Sequence, residues 1–142
     1  MMNEKPQFLE DIQIGQGTEC HFTVTDDMIM KFADLSGDHN PIHVDEEFAK
    51  TTPYKGRIAH GMLGGAFISA TLARALPGAV YVSQALSFKR PMRIDDQLKV
   101  TISVTDIDLK LQRVFISTRV LNEKNKIIMD GEAVAMVSRR PQ

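Results

Sequence analysis

Gly61-Met62-Leu63-Gly64-Gly65-Ala66-Phe67-Ile68-Ser69-Ala70-Thr71-Leu72-Ala73-Arg74-Ala75 is the stretch on which the fold turns. Arg74 is its only charged residue, and small side chains are mixed with Met, Leu, Phe and Ile around the whole circumference of a helix. A helix so apolar is expected to be buried on nearly all sides, its small residues letting a sheet approach closely. Leu76-Pro77-Gly78 stops it, because proline cannot continue the helical hydrogen-bond ladder.

The chain beyond this helix reads as strands, over 80–88, 97–106, 114–121 and 126–137. Leu98, Val100, Ile102 and Val104 alternate with Lys99, Thr101, Ser103 and Thr105, as expected where one sheet face is wet. Residues 122–126 form a polar turn of hairpin type. Ahead of the helix, Glu19-Cys20-His21-Phe22-Thr23-Val24-Thr25 alternates with period two and predicts a first strand. Thr25 then caps a helix that begins with Asp26 and Asp27 and carries Met28, Ile29, Phe32 and Leu35 on one face. Gly37 ends that helix, and Pro41 disfavours helical geometry at Asn40, so 36–43 is expected to be irregular. A short helix is expected over 45–50 and a loop over 51–56. Strands grouped after one long buried helix indicate α+β, an antiparallel sheet packed on a central helix. No repeat or linker interrupts residues 1–142, so a single domain is expected.

Composition narrows the function. With 43% apolar and 25% charged residues the chain reads as soluble and globular, and a formal charge of -1 lacks the cationic footprint that nucleic acid requires. Cys20 is the one cysteine, which excludes an internal disulfide and Cys-x-x-Cys chemistry and suits a reduced, cytoplasmic setting. Residues 1–11 contain no apolar run fit for a secretory signal, and no segment is apolar for long enough to span a membrane.

The densest cluster of reactive side chains is Ser36-Gly37-Asp38-His39-Asn40-Pro41-Ile42-His43. Regular helix would rotate Asp38 and His43 apart, whereas a proline-broken loop can turn both inward around one water. Carboxylate and imidazole make a serviceable acid/base pair. The competing reading makes Asp38 a helix cap and His43 a hydrogen-bonded histidine at the edge of the core. His39 is expected to be exposed or structural. His39, His43 and His60 fit no recognised zinc spacing, and neither metal nor cofactor is expected. Gly61 heads the long helix, where free N–H groups and the macrodipole favour developing negative charge. It is a candidate oxyanion donor, or else only permits a tight turn into the helix. Ser69 either lines the same cavity or bonds back to a helix carbonyl. Lys89, Arg90 and Arg93 flank Pro91 at a strand end, where they can meet phosphates or simply solvate an edge. A Gly-x-Ser-x-Gly nucleophile turn and glycine-rich phosphate loops are absent from the sequence, which sets aside serine hydrolysis and nucleotide chemistry.

Residues Ser36 to His43, followed by Phe48-Ala49, closely resemble the hydratase signature of the MaoC-like R-specific enoyl-CoA hydratases. The likeness continues through Ala59-His60-Gly61-Met62, Ser83-Gln84-Ala85-Leu86-Ser87-Phe88 with Pro91, and Gly131-Glu132-Ala133. It extends to the short members that feed polyhydroxyalkanoate synthesis. The resemblance implies a hot-dog fold, a homodimer with the acyl tunnel at the subunit interface, and an acyl-CoA thioester substrate. It implies Asp38 and His43 as catalytic pair, Gly61 as oxyanion donor and Ser69 as a further pocket residue, and Asn40, His60, Lys89 and Arg90 complete the expected substrate-binding set. A dehydratase acting on acyl carrier protein, a thioesterase and a non-catalytic thioester-binding module are the alternatives, the last disfavoured because Asp38 and His43 are both present.

Overall fold

In the computed structural model, residues 5–142 are described. The N-terminal stretch read for a secretory signal begins at 1–4, outside the described residues. After a 3-10 turn at Leu9–Asp11 come β1 (Gly17–Thr23), α1 (Asp26–Ser36), α2 (Pro41–Val44), α3 (Glu46–Lys50) and the long α4 (Gly61–Ala75). Four strands close the chain: β2 (Val80–Phe88), β3 (Gln97–Asp108), β4 (Arg113–Leu121) and β5 (Ile127–Met136). They form one five-stranded sheet with β1, in the order β1-β3-β4-β5-β2, with every pair antiparallel.

The α+β expectation holds, and the local chemistry explains where boundaries moved. β1 stops two residues early because Thr25 leaves the sheet to cap α1, its Oγ1 accepting from the Met28 N–H at 3.1 Å. β3 runs to Asp108, carried past its expected end through a register shift between Val104 and Asp106. Residues 36–43 are not irregular throughout. Ser36 closes α1, and Pro41 opens the helical turn α2, a first-turn position where its missing N–H costs nothing. Gly37, at φ 81°, is the left-handed cap between them.

The core lies between α4 and the sheet. Leu63, Phe67, Ile68 and Leu72 of α4 are buried against Leu98, Val100, Ile102 and Val104 of β3 and against Val114, Ile116 and Val120 of β4. The sheet covers one side only, however. Met62, Ala66, Ser69, Ala70 and Ala73 are exposed, so the expectation that α4 is buried on nearly all sides is corrected. Its outward stripe is mostly small and apolar, and β2, at the sheet edge beside β5, leaves Val80 and Val82 about half exposed. Among the described residues no helix is long and apolar enough to cross a membrane.

Candidate active site

Two chain segments build the site. The first, 37–40, is short, exposed and held by its own side chains. Asp38 takes the Asn40 N–H on its carboxylate at 3.2 Å, while its own N–H donates to Ser36 Oγ at 3.1 Å. The cap of α2 is Asn40, whose Oδ1 accepts from the Ile42 N–H at 3.2 Å, so Asp38 does not cap the following helix. Asn40 is exposed, spends its carbonyl oxygen on the cap and is absent from the cavity wall. His39 is exposed and bonds Asp34 at 3.0 Å, which raises its pKa.

The second segment, Arg57 to Gly61, is tied across elements. Arg57 Nε–H donates to the His43 carbonyl at 2.6 Å, and its guanidinium pairs with Asp26 at 2.6 Å, joining α2 to α1. The Ile58 N–H donates to the Ile42 carbonyl at 3.2 Å, and the Ala59 N–H to the Met92 carbonyl at 2.8 Å. His43, 9% exposed, donates Nδ1–H to the Ile58 carbonyl at 2.8 Å, which leaves Nε2 as the acceptor nitrogen of its neutral form. Burial, the largest influence, lowers the His43 pKa; the bond to Ile58 opposes it, and smaller effects from His60 and Asp38 oppose each other. His43 therefore stays neutral and basic to lower pH than an ordinary imidazole.

His60, 2% exposed, stacks on His43 with ring centroids 4.0 Å apart and donates Nε2–H to the Asp38 carbonyl at 3.0 Å. A carboxylate oxygen of Asp38 and a ring nitrogen each of His43 and His60 lie within 4.8 Å of one another. One water making two ordinary hydrogen bonds spans the Asp38 to His43 part of that distance. A metal ion suits the trio poorly, because rings stacked at 4.0 Å and 29° aim their in-plane lone pairs side by side instead of at a common point.

Asp38, His43, His60 and Gly61 share a cavity of about 440 Å³ with Tyr54, Met62, Phe88, Lys89, Arg90, Met92 and Met129. Gly61 is the first residue of α4, so its N–H has no carbonyl a turn back, and His60 adds no side-chain cap. A Cβ at Gly61 would stand 2.7 Å from the Phe88 ring, so close approach at this helix tip needs glycine. Lys89 and Arg90 supply cations to the cavity, Arg90 also donating to the Ile127 carbonyl at 2.7 Å. Arg93 is not in the wall; its N–H bonds the Asp96 carboxylate at 2.8 Å. Ser69 is exposed on the outward stripe of α4, away from this cavity and beside Tyr81, whose phenol is pushed up by burial and brought partly back by Ser69. The expectation that Ser69 lines the cavity of Asp38 fails within one chain, because the helix turns Ser69 away from the sheet that buries Ile68 and Leu72.

Sequence reasoning missed Tyr54, Met92, Met129 and the splint made by Arg57 and Ile58. Tyr54 sits in a loop with no period to orient it, and Arg57 acts through two contacts 14 and 31 residues away. A family model for the MaoC like domain matches residues 8–126. The chain belongs to the MaoC-like family. It is 44% identical to the (R)-specific enoyl-CoA hydratase of Rhodospirillum rubrum, over 94% of this chain and 93% of that protein. Among solved structures it is similar to the unliganded R-hydratase PhaJ1 of Pseudomonas aeruginosa, with a TM-score of 0.86 and 41% identity over 94% of this chain and 86% of the other. The (R)-hydratase of A. caviae involved in PHA biosynthesis gives a TM-score of 0.86 at 30% identity, over 90% of this chain and 98% of that one. With these neighbours the sheet and central helix of this MaoC-like domain are a hot-dog fold.

Proposed function

We propose that this MaoC-like domain, spanning 1–142, is an R-specific enoyl-CoA hydratase that reversibly adds water to trans-2-enoyl-CoA. The observation that carries the reading is the meeting of the Asp38 carboxylate and a His43 ring nitrogen within 4.8 Å, in one cavity with the free helix tip at Gly61. The Gly61 N–H donates to the thioester carbonyl and draws electron density from the double bond, leaving C3 electrophilic. Water held between Asp38 and His43 forms the new O–C3 bond and gives up a proton to the pair. A proton delivered to C2 from the same face completes the (R)-3-hydroxyacyl thioester. Asp38 and His43 share these two transfers as a unit. Lys89 and Arg90 are suited to the phosphates of coenzyme A.

A homodimer belongs to this proposal. The outward apolar stripe of α4 and the unpaired edge of β2 are the surfaces a second copy would cover, and the partner's stripe would bring Ser69 to an acyl tunnel at the interface. A cytoplasmic address is the companion expectation, in keeping with the unpaired, buried Cys20. The test tracks the absorbance of the conjugated thioester across a panel of trans-2-enoyl-CoA substrates of rising length, beginning with crotonyl-CoA. Loss of absorbance with appearance of the (R)-3-hydroxy product is expected. Release of free thiol without hydration would replace the reading with thioester hydrolysis, and turnover only on carrier-protein thioesters would move the substrate to acyl carrier protein.

A further inference from the structure

We propose that His60 is a positioning residue that holds the two proton-transfer groups at a fixed spacing, gripping the Asp38 main chain with its edge and the His43 ring with its face. The inference deepens the hydratase reading and rests on it for its activity readouts. Its Nε2–H reaches 22 residues back to the Asp38 carbonyl at 3.0 Å, and its ring is packed between His43 at 4.0 Å and Phe32 at 4.9 Å. The other nitrogen, Nδ1, is buried and has no partner among the described residues. Neither nitrogen is free for the substrate, which moves His60 from the substrate-binding set to the frame. Packing alone does not account for a histidine here, since a phenylalanine would fill the space without orphaning a buried polar atom. The donor to Asp38 does account for it. Asp38 is exposed, follows the left-handed Gly37, and among the described residues its other hydrogen bonds stay inside its own turn, to Ser36 and Asn40. The bond from His60 is the one that ties this turn to the helix tip.

Two substitutions separate the donor from the ring. His60→Phe keeps an aromatic face and removes the donor; His60→Gln removes the ring and keeps an amide N–H of similar reach. On crotonyl-CoA, His60→Phe is expected to lower kcat about 100-fold with KM little changed, as displacement of a catalytic group by an ångström does. His60→Gln is expected to recover most of that loss. A parental kcat in His60→Phe, equal losses in the two variants, or a loss confined to KM would each overturn the proposal, the last by putting His60 in contact with substrate. Amide hydrogen exchange over 37–40 reads the same clamp without turnover: it should accelerate in His60→Phe and return toward the parental rate in His60→Gln. Unchanged exchange in both would also overturn the clamp. Should His60→Phe fail to fold, His60→Asn, whose amide stops short of the Asp38 carbonyl, takes its place in both measurements. If the parental protein hydrates no enoyl thioester, the hydratase reading fails and the exchange measurement alone decides the role of His60.

Discussion

The residues from Gly37 to Asn40 and those from Arg57 to Gly61 meet at one cavity and are held there in opposite ways. The first group is exposed and shaped by bonds between neighbours in sequence, Ser36 with Asp38, Asp38 with Asn40 and Asn40 with Ile42. The second includes the buried Ala59 and His60 and is fastened to α1, α2 and the Met92 loop by bonds that span 14 residues or more. A carboxylate that must exchange protons with water benefits from the exposed position. Donors whose value depends on not moving belong on the buried one, where a low dielectric strengthens each bond. The difference assigns proton exchange with water to Asp38 in the local turn, and geometric precision, including the placing of His43, to the long-range splint.

The largest expected effect tests the pair that the two groups hold together. Asp38→Asn and His43→Ala should each lower the hydration rate of crotonyl-CoA by about a hundredfold to ten-thousandfold, with the thermal unfolding of Asp38→Asn nearly parental. Near-parental rates in either variant would remove the pair from the chemistry. Next in size is Gly61→Ala, which leaves the N–H in place but drives a Cβ to 2.7 Å from the Phe88 ring. Shifting the helix tip to relieve that overlap should cost about 100-fold in kcat, and adding Phe88→Leu should restore part of it. An unaffected Gly61→Ala would mean that no ligand needs the tip.

The end of α1 before Asp38 was legible in the sequence because its structure is local, Gly37 imposing the left-handed cap, whereas Pro41, read as a helix breaker, opens α2 with Asn40 as its cap, since the same residue serves either end of a helix. So were α4 and the strands, whose periods report the sheet directly. The splint was not, since nothing around Arg57 says that its side chain crosses to Asp26 and to the His43 carbonyl. Ser69 shows the limit from the other side. Its place on an apolar helix suggested a cavity wall, yet composition does not reveal which arc of the helix the sheet covers, and the arc holding Ser69 is left outward.

Stability weighs the turn against the splint without any substrate. Arg57→Met keeps the apolar stem but removes donors to the His43 carbonyl and to Asp26, and should lower unfolding free energy by about 2 kcal/mol in urea titrations. Ser36→Ala removes two exposed, local bonds, the one its hydroxyl donates back to the Phe32 carbonyl at 2.6 Å and the one it accepts from the Asp38 N–H, and should cost about 0.5 kcal/mol. A larger loss from Ser36→Ala than from Arg57→Met would reverse the assignment of precision to the splint.

The smallest effect expected is in the pH dependence of stability, and its sign is fixed by the burial of His43, against the opposing bond to the Ile58 carbonyl. Burial lowers the folded pKa of His43, so between that value and the ordinary one of about 6.5 the unfolded chain binds more protons than the folded one. The contribution of His43 is therefore constant above that window, falls as pH drops through it, and levels off below the folded pKa. His39, whose pKa is raised by Asp34, acts in the opposite sense: its contribution is present below the unfolded pKa and is lost as pH rises through the folded one. His39 is exposed, so solvent screens its share, and the buried His43 should set the sign of the slope just below pH 6.5. Urea titrations at a series of pH values, repeated with His43→Gln and His39→Gln, separate the two. His43→Gln should flatten the acid-side decline and His39→Gln should deepen it slightly; a decline that survives His43→Gln unchanged would show that burial does not hold this imidazole in its neutral form.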